Sequence, residues 1–322
     1  MSSRPLRADQ VPEPVAGPGQ LLMRVRACAV CRTDLQIATG DLAARRLPIT
    51  PGHQAVGRVE ALGEGTTGWK IGDRVGAYWL AHSCGACRFC RSDRENLCEH
   101  AGFTGWDRDG GFAEMMVVDA SIAAPIPELM TDIQAAPLLC GGVIGYRALR
   151  RARVQPGHRV GLFGFGASAL CALQVARHWG CELYVCTRSE SEQQRARDLG
   201  AVWAGSYDDP CPEPLDAAVT FAPVGWVVTR ALAALDRGAT VSINAIHLDG
   251  IPAFDYQDLW WERSIASVAN VTRTDAREFL ALASEIPIRT SVEVFALEDA
   301  NAALAALDAG RIAGAAVLAI DP

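Results

Sequence analysis

Long apolar runs are missing from this 322-residue chain. None reaches the roughly 18–20 residues that a membrane-spanning helix needs, so no membrane partner is expected. Blocks of basic residues are missing as well, and the formal net charge is −7. That balance argues against nucleic acid or an anionic membrane surface as the main partner. The opening stretch MSSRPLRADQVPEPVAGPGQ is polar and proline-rich, without the apolar core of a secretory signal. These absences together predict a cytoplasmic protein. Its eleven cysteines are then reduced thiols, available to metals rather than paired in disulfides. Internal repeats and low-complexity segments are lacking too. What is present is ordinary for a globular protein: half the residues are hydrophobic and 21% are charged. The length suits about two domains, each with its own core.

Two textures divide the chain. From Gln20 to about Ala124 the segments LLMRVRACAV, QAVGRVEAL, DRVGAYWLA and FAEMMVVDA read as strands separated by glycine-rich turns. From Ile133 onward helical spacing appears, and then strands and helices alternate. Val160–Phe163 is expected to be a strand, Ala169–His178 a helix, CELYVCTRS a strand and SEQQRARDLGA a helix. LDAAVTFAP, VVTRALAALDRG, GATVSINAI and SIASVANV continue the series. Such alternation predicts an α/β fold with a parallel, doubly wound sheet. The last fifty residues read as a helix followed by a strand.

Four thiols dominate the first half. Residues 83–98, SCGACRFCRSDRENLC, space cysteines as Cys-x2-Cys-x2-Cys-x7-Cys. A metal held by four thiolates has no position left for a substrate, so it serves fold and loop rigidity. The rival reading, a nucleic-acid-binding metal module, has little support: Arg88, Arg91 and Arg94 are offset by Asp93, Glu95 and Glu99. In the second half Gly164, Gly166 and Ala169 fit G-x-G-x-x-G/A between a strand and a helix. Glycine lets the backbone approach a pyrophosphate, and the helix start supplies free N–H groups. A tight strand–helix turn without a ligand is the plainer alternative, but the turn opens a βαβ series. At the end of the next strand stands Cys186-Thr187-Arg188-Ser189, with no carboxylate until Glu190. An acid there would bind ribose hydroxyls, whereas an arginine accommodates a 2′-phosphate, so NADP(H) is favoured over NAD(H). Cys31, His53 and Cys140 are further metal-ligand candidates. Two thiolates and one imidazole would leave a fourth tetrahedral position open. Spacing alone cannot unite them, and each has a plain alternative as a small buried or hydrogen-bonded residue.

At this point the chain resembles the zinc-dependent medium-chain alcohol dehydrogenases over nearly its whole length. CRTDL, PGHQAVGRV, the four-cysteine lobe and the glycine turn occur in that family's order and spacing. FTGWDRDGGFAEM and SVANVTRTDAREFLALASEIP resemble a bacterial subgroup. The resemblance implies a GroES-like β-rich catalytic domain over residues 1–138, with a structural zinc lobe at 83–99. It also implies a Rossmann cofactor domain over 139–270 and a return to the catalytic domain over 271–322. Two zinc ions per subunit are implied, one on Cys84, Cys87, Cys90 and Cys98, the other a catalytic one on Cys31, His53 and Cys140. Asp34 would orient the His53 ring, Thr33 would accept the proton of the alcohol, and Arg32 matches a pyrophosphate-contacting position. Helix capping is the plainer role for Thr33 and Asp34, and the two roles can coexist. A homo-oligomer, dimer or tetramer, and a small alcohol or aldehyde substrate are implied as well.

Three departures from the family pattern stand out. Gln54 follows His53 where Glu is frequent, Gln36 stands where several members have the histidine of a proton relay, and the usual first hairpin strand is missing before LRADQVPEP. Trp79, Leu80 and Trp106 are candidates for an apolar wall suited to an aromatic or medium-chain substrate, with core packing as the alternative. Within enzymes the competing activity is a biosynthetic carbonyl or imine reductase using the same zinc and NADPH. Outside enzymes it is an inactive zinc-containing binding protein, which the intact Cys31, His53 and Cys140 argue against.

Overall fold

A computed structural model describes residues 6–286 and 288–320. The chain divides into two compact units, one made of Met1–Cys140 with Asn270–Pro322, the other of Gly141–Ala269.

The first unit is built on β1 (Gln20–Val30), a long strand buried along most of its length. α1 (Arg32–Thr39) follows at once, then β2 (Ala55–Leu62), β3 (Arg74–Ala77), β4 (Leu80–His82), β5 (Gly102–Phe103), β6 (Met115–Asp119) and β7 (Ala124–Pro125). The stretch DRVGAYWLA, expected to be one strand, is split between β3 and β4, which belong to different sheets. β1 pairs antiparallel with β2 and, along its first half, with β6. Leu21, Met23, Val25, Val59, Val75 and Met116 point from these strands into a shared core. A four-residue helix, α2 (Asp132–Ala135), leads into the tight turn Ala136–Leu139. Leu139 lies against Gly76 of β3, where a Cβ would come within 2.9 Å of its side chain. This packing keeps Leu139 and Cys140 with the first unit, two residues beyond the boundary read from sequence.

The second unit begins with α3 (Gly141–Arg151) and continues β8 (Arg159–Phe163), α4 (Ala167–His178), β9 (Glu182–Cys186), α5 (Glu190–Asp198), β10 (Trp203–Gly205), β11 (Leu215–Thr220), α6 (Gly225–Ala233), β12 (Leu235–Ile243), α7 (Tyr256–Leu259) and β13 (Ser264–Ser267). Its six strands run in the order β10-β9-β8-β11-β12-β13, every pair parallel. Numbered from β8, that is the order 3-2-1-4-5-6 of a doubly wound nucleotide-binding sheet, whose switch point lies between β8 and β11. The strands are near-continuous apolar runs because both faces are covered by helices.

The chain then returns to the first unit with α8 (Arg273–Glu285), started by a capping box in which Thr272 and Asp275 satisfy each other's backbone N–H groups. β14 (Val292–Ala296), α9 (Ala300–Asp308) and β15 (Ala315–Ala319) complete it. β15 lies parallel to β14 and antiparallel to β1, so the C-terminus extends the sheet that the N-terminal half began.

Candidate functional site

Cys31 directly follows β1 and is the N-cap of α1. Its thiol accepts the Thr33 N–H at 3.4 Å, and its own N–H donates to Asp34 Oδ2 at 2.9 Å. The other Asp34 oxygen accepts the Gly52 N–H at 3.1 Å and lies 3.1 Å from His53 Nδ1. One fully buried carboxylate therefore holds the residue preceding one ligand candidate, the backbone of a second, and the imidazole itself. With Nδ1–H donated to Asp34, Nε2 is the nitrogen left to bind a cation once it has given up its proton. Gly52 is required beside it: its φ is +97°, and a Cβ there would strike Phe112 and the Cys28 thiol. Cys140, at the end of the Ala136–Leu139 turn, supplies the third group. One ligand atom each from Cys31, His53 and Cys140 all lie within 4.8 Å of one another. The structure thus brings together three residues that stand far apart in sequence. Two sulfurs and one nitrogen, with no fourth protein ligand in the group among the described residues, fit a tetrahedral metal with one open position.

The electrostatics agree with that fit. The Cys31 thiol is pushed well down, first by its bond from Cys140 and then by the His53 charge. Burial works against charge on His53, but Asp34 and Cys31 outweigh it and raise the ring to about 10. Cys140 is pushed up by Cys31 and by burial. Protons thus occupy a cluster that binds a cation by releasing them. Thr33 is buried beside the cluster, and Gln54 is buried with its amide toward the Ala29 carbonyl. Arg32 is exposed and pairs with Asp308 of α9 at 3.2 Å.

The second cluster is Cys84, Cys87, Cys90 and Cys98, again with all sulfurs within 4.8 Å. Backbone N–H groups of Cys84, Cys87, Cys90 and His100 donate to its sulfurs at 3.4–3.5 Å. The Cys90 N–H leads the forces that hold Cys87 down at about 6, while burial pushes Cys90 up to about 12. A chain that already directs donors at thiolates is prepared for a four-sulfur metal cage. The lobe is tied to α8 by Glu95, a 1%-exposed carboxylate accepting the Arg273 backbone N–H at 2.7 Å and its Nε–H at 3.2 Å.

In the second unit Gly164 follows β8 with φ +97°, and a Cβ there would meet the Ala222 nitrogen at 2.8 Å. Glycine is needed where the loops after β8 and β11 touch. Gly166 is the N-cap of α4, without a side-chain cap and with open space where a Cβ would stand. The helix begins at Ala167, two residues before the expected start, and Ala169 is fully buried on its first turn. Thr187 is buried, and its hydroxyl donates to Glu192 Oε2 at 2.5 Å. The strand end read as carboxylate-free is not so in space: α5 folds the Glu192 carboxylate back onto it. Ser189-x-x-Glu192 was the available signal, since Ser189 caps α5 and accepts the Glu192 N–H. Arg188 is exposed and forms no ion pair among the described residues.

Of the three wall candidates, Leu80 is fully buried and belongs to the core. It opens β4 and points inward, whereas Trp79 lies in the bend between β3 and β4. Trp79 and Trp106 are half-buried and stack with ring centroids 5.9 Å apart, and Phe103, which sequence reading missed, completes the group 5.2 Å from Trp79. Trp79 also meets the His53 ring edge-on at 5.0 Å.

Comparison with known proteins places these observations. Residues 17–128 match the alcohol dehydrogenase GroES-like domain. A probable alcohol dehydrogenase, AdhA, of Mycobacterium tuberculosis is 47% identical over 99% of this chain and 94% of its own length. An alcohol dehydrogenase of Geobacillus stearothermophilus is 33% identical over 97% of this chain and 95% of its own. Among solved structures, AibC superposes with a TM-score of 0.89 at 27% identity, over 97% of this chain and 91% of AibC. A cobalt- and zinc-bound thermostable alcohol dehydrogenase from Pyrobaculum aerophilum gives 0.86 at 26% identity, over 96% and 94%. The biosynthetic carbonyl- or imine-reductase reading and the inactive-binding reading are not favoured by these relatives. No helix among the described residues is long and apolar enough to cross a membrane. The chain belongs to the medium-chain, zinc-type alcohol dehydrogenase family and is an oxidoreductase acting on alcohols.

Proposed function

We propose that the protein is an NADP(H)-preferring alcohol dehydrogenase and aldehyde reductase with one catalytic and one structural zinc per subunit. The observation that carries the reading is the convergence of Cys31, His53 and Cys140 around the buried Asp34. Cys31, His53 and Cys140 would hold the catalytic zinc; Cys84, Cys87, Cys90 and Cys98 would hold the structural one. When bound, the zinc polarises the substrate oxygen and the nicotinamide carries the hydride. The chain's own residues do the rest. Asp34 fixes the His53 tautomer, and the Thr33 hydroxyl takes the alcohol proton. Gln36, half-buried on α1, stands where a relay histidine would pass that proton on, so the proton would leave through solvent instead. Gly164, Gly166 and Ala169 open the start of α4 to the pyrophosphate; Arg32, paired with Asp308, would be a further cofactor contact. Arg188 pairs with a 2′-phosphate beside Thr187, against the opposing charge of Glu192. Trp79, Phe103 and Trp106 favour an aromatic or medium-chain substrate. Reduced thiols suit a cytoplasmic location, and a homo-oligomer is expected by light scattering.

A panel of alcohols and aldehydes read at the nicotinamide absorbance, with zinc counted in the same preparation, tests the proposal. Turnover with two zinc ions per chain is expected. Zinc-loaded protein that oxidises no alcohol and reduces no aldehyde with either cofactor would overturn it.

A further inference from the structure

Between α1 and β2 the chain runs through residues 40–50 without helix or strand and mostly exposed. From Ala43 to Thr50 its polar ties go to a single turn, residues 103–110. Trp106 Nε1–H donates to the Ala43 carbonyl at 2.9 Å, and Arg46 pairs with Asp109 at 2.6 Å. The Thr50 N–H donates to Asp109 at 3.0 Å, and the Gly110 N–H returns a bond to the Thr50 carbonyl at 2.8 Å.

Arg45 has the most consequential place in this contact. Its guanidinium lies 4.0 Å over the Trp106 ring centroid and donates to Asp107 at 3.2 Å. Asp107 also accepts the Phe103 N–H at 2.9 Å, so one carboxylate holds both the guanidinium and the backbone of a second ring. Trp106 in turn stacks on Trp79, whose edge meets the His53 ring. The indole is thus held by a cation on a face, by a carbonyl at its Nε1, and by two neighbouring rings. Trp is the strongest ring partner for a cation, and the planar guanidinium stacks where an ammonium does not.

We propose that Arg45 is a positioning residue for substrate affinity: it clamps Trp106 into the aromatic wall beside His53, and so sets the preference for aromatic over short aliphatic alcohols. This rests on the alcohol-oxidoreductase reading with Cys31, His53 and Cys140 as the metal centre. Without the clamp the half-buried indole regains rotamer freedom, and an aromatic substrate loses an ordered stacking surface. A two-carbon alcohol has no ring to stack and loses nothing. Because Arg45 and Arg46 are exposed, salt weakens their pairs with Asp107 and Asp109; the Debye length falls from about 10 Å at 0.1 M to about 3 Å at 1 M.

The test compares benzyl alcohol with ethanol in the zinc-loaded full chain and in Arg45→Met, which keeps an unbranched stem and loses the charge. In Arg45→Met the KM for benzyl alcohol should rise roughly 3- to 10-fold, with kcat within about twofold and the ethanol KM unchanged. Sodium chloride should raise the benzyl alcohol KM more in the parent than in Arg45→Met, a difference that cancels general salting-out. Arg45→Lys should restore the salt dependence and part of the KM. A benzyl-to-ethanol KM ratio unchanged in Arg45→Met, or both KM values rising together, would overturn the proposal. Should Arg45→Met fail to fold, iodide quenching of Trp106 fluorescence, read as parent minus Trp106→Phe, replaces it. Quenching that grows with salt supports the clamp, and quenching indifferent to salt refutes it. Absence of any alcohol turnover in the unmodified, zinc-loaded chain would instead refute the reading underneath.

Discussion

Replacing Asp34 with Asn tests the candidate metal centre without changing its shape. The carboxylate accepts three N–H groups: Cys31 at 2.9 Å, and Gly52 and His53 at 3.1 Å each. Asparagine has one carbonyl oxygen and one NH2 in the same outline. Its best orientation keeps the oxygen toward Gly52 and His53 and turns the NH2 against the Cys31 N–H. The Cys31 N–H and the new NH2 then face each other without an acceptor, and each unsatisfied group costs about 1–3 kcal/mol. The bond to His53 also becomes neutral and about half as strong. The imidazole then has less to fix its tautomer, and loss of such a partner costs roughly 10- to 100-fold in metal affinity or activity. The expected result is faster zinc loss to a chelator, kcat/KM down by that range, and a lower melting temperature. Zinc affinity separates the two roles of Asp34. As no more than the capping-box partner of Cys31, it would on mutation lower the melting temperature and leave zinc affinity unchanged. A variant with zinc affinity and kcat/KM within twofold of the parent would refute the argument.

Other substitutions probe the remaining parts. Cys90→Ser should lower stability and solubility, whereas Cys140→Ser should abolish turnover with the fold intact by circular dichroism; reversed phenotypes would exchange the two sites. Thr187→Asp should shift kcat/KM toward NAD(H), since a well-placed charge-assisted bond contributes about 1.5–3 kcal/mol, roughly 10- to 150-fold. Because that substitution sets a second carboxylate against Glu192, Glu192→Gln is the cleaner arm, and it should strengthen NADP(H) preference; no change in either variant would mean that Arg188 faces solvent only. In the second unit partial burial pushes Asp216 up, but the Arg159 backbone N–H and guanidinium prevail and hold it below the ordinary carboxylate value. A depressed folded value stabilises above the unfolded pKa of about 3.9 and is lost as pH falls through the folded one. Asp216→Asn should therefore be about 1 kcal/mol less stable by urea titration at pH 7, with the gap starting to close only below about pH 4 and vanishing once pH has fallen through the depressed folded value. A difference independent of pH would contradict this.

What the sequence by itself determined lies within short stretches of backbone. Cys84, Cys87, Cys90 and Cys98 are spaced so that the turns of the lobe alone aim N–H groups at sulfur, and the spacing can be read without a fold. The Gly164 turn is similar, because only glycine takes its φ of +97° against the Ala222 backbone. Tertiary structure decided what depends on distant pieces of chain. Cys31, His53 and Cys140 meet only because β1, the loop before β2 and the Ala136–Leu139 turn are packed together, and no local rule relates their numbers. Burial separated Leu80 from Trp79, since Leu80 opens β4 and points into the core whereas Trp79 sits in the bend before it, and only the fold says which of the two is inside. The charge at the end of β9 came from Glu192, a residue of the next helix that the strand alone could not reveal. Arg45 is one of many surface arginines in the sequence. It became a clamp because the turn carrying Trp106 and Asp107 folds against it, and a cation over a ring exists only where two remote segments are held within a few ångströms.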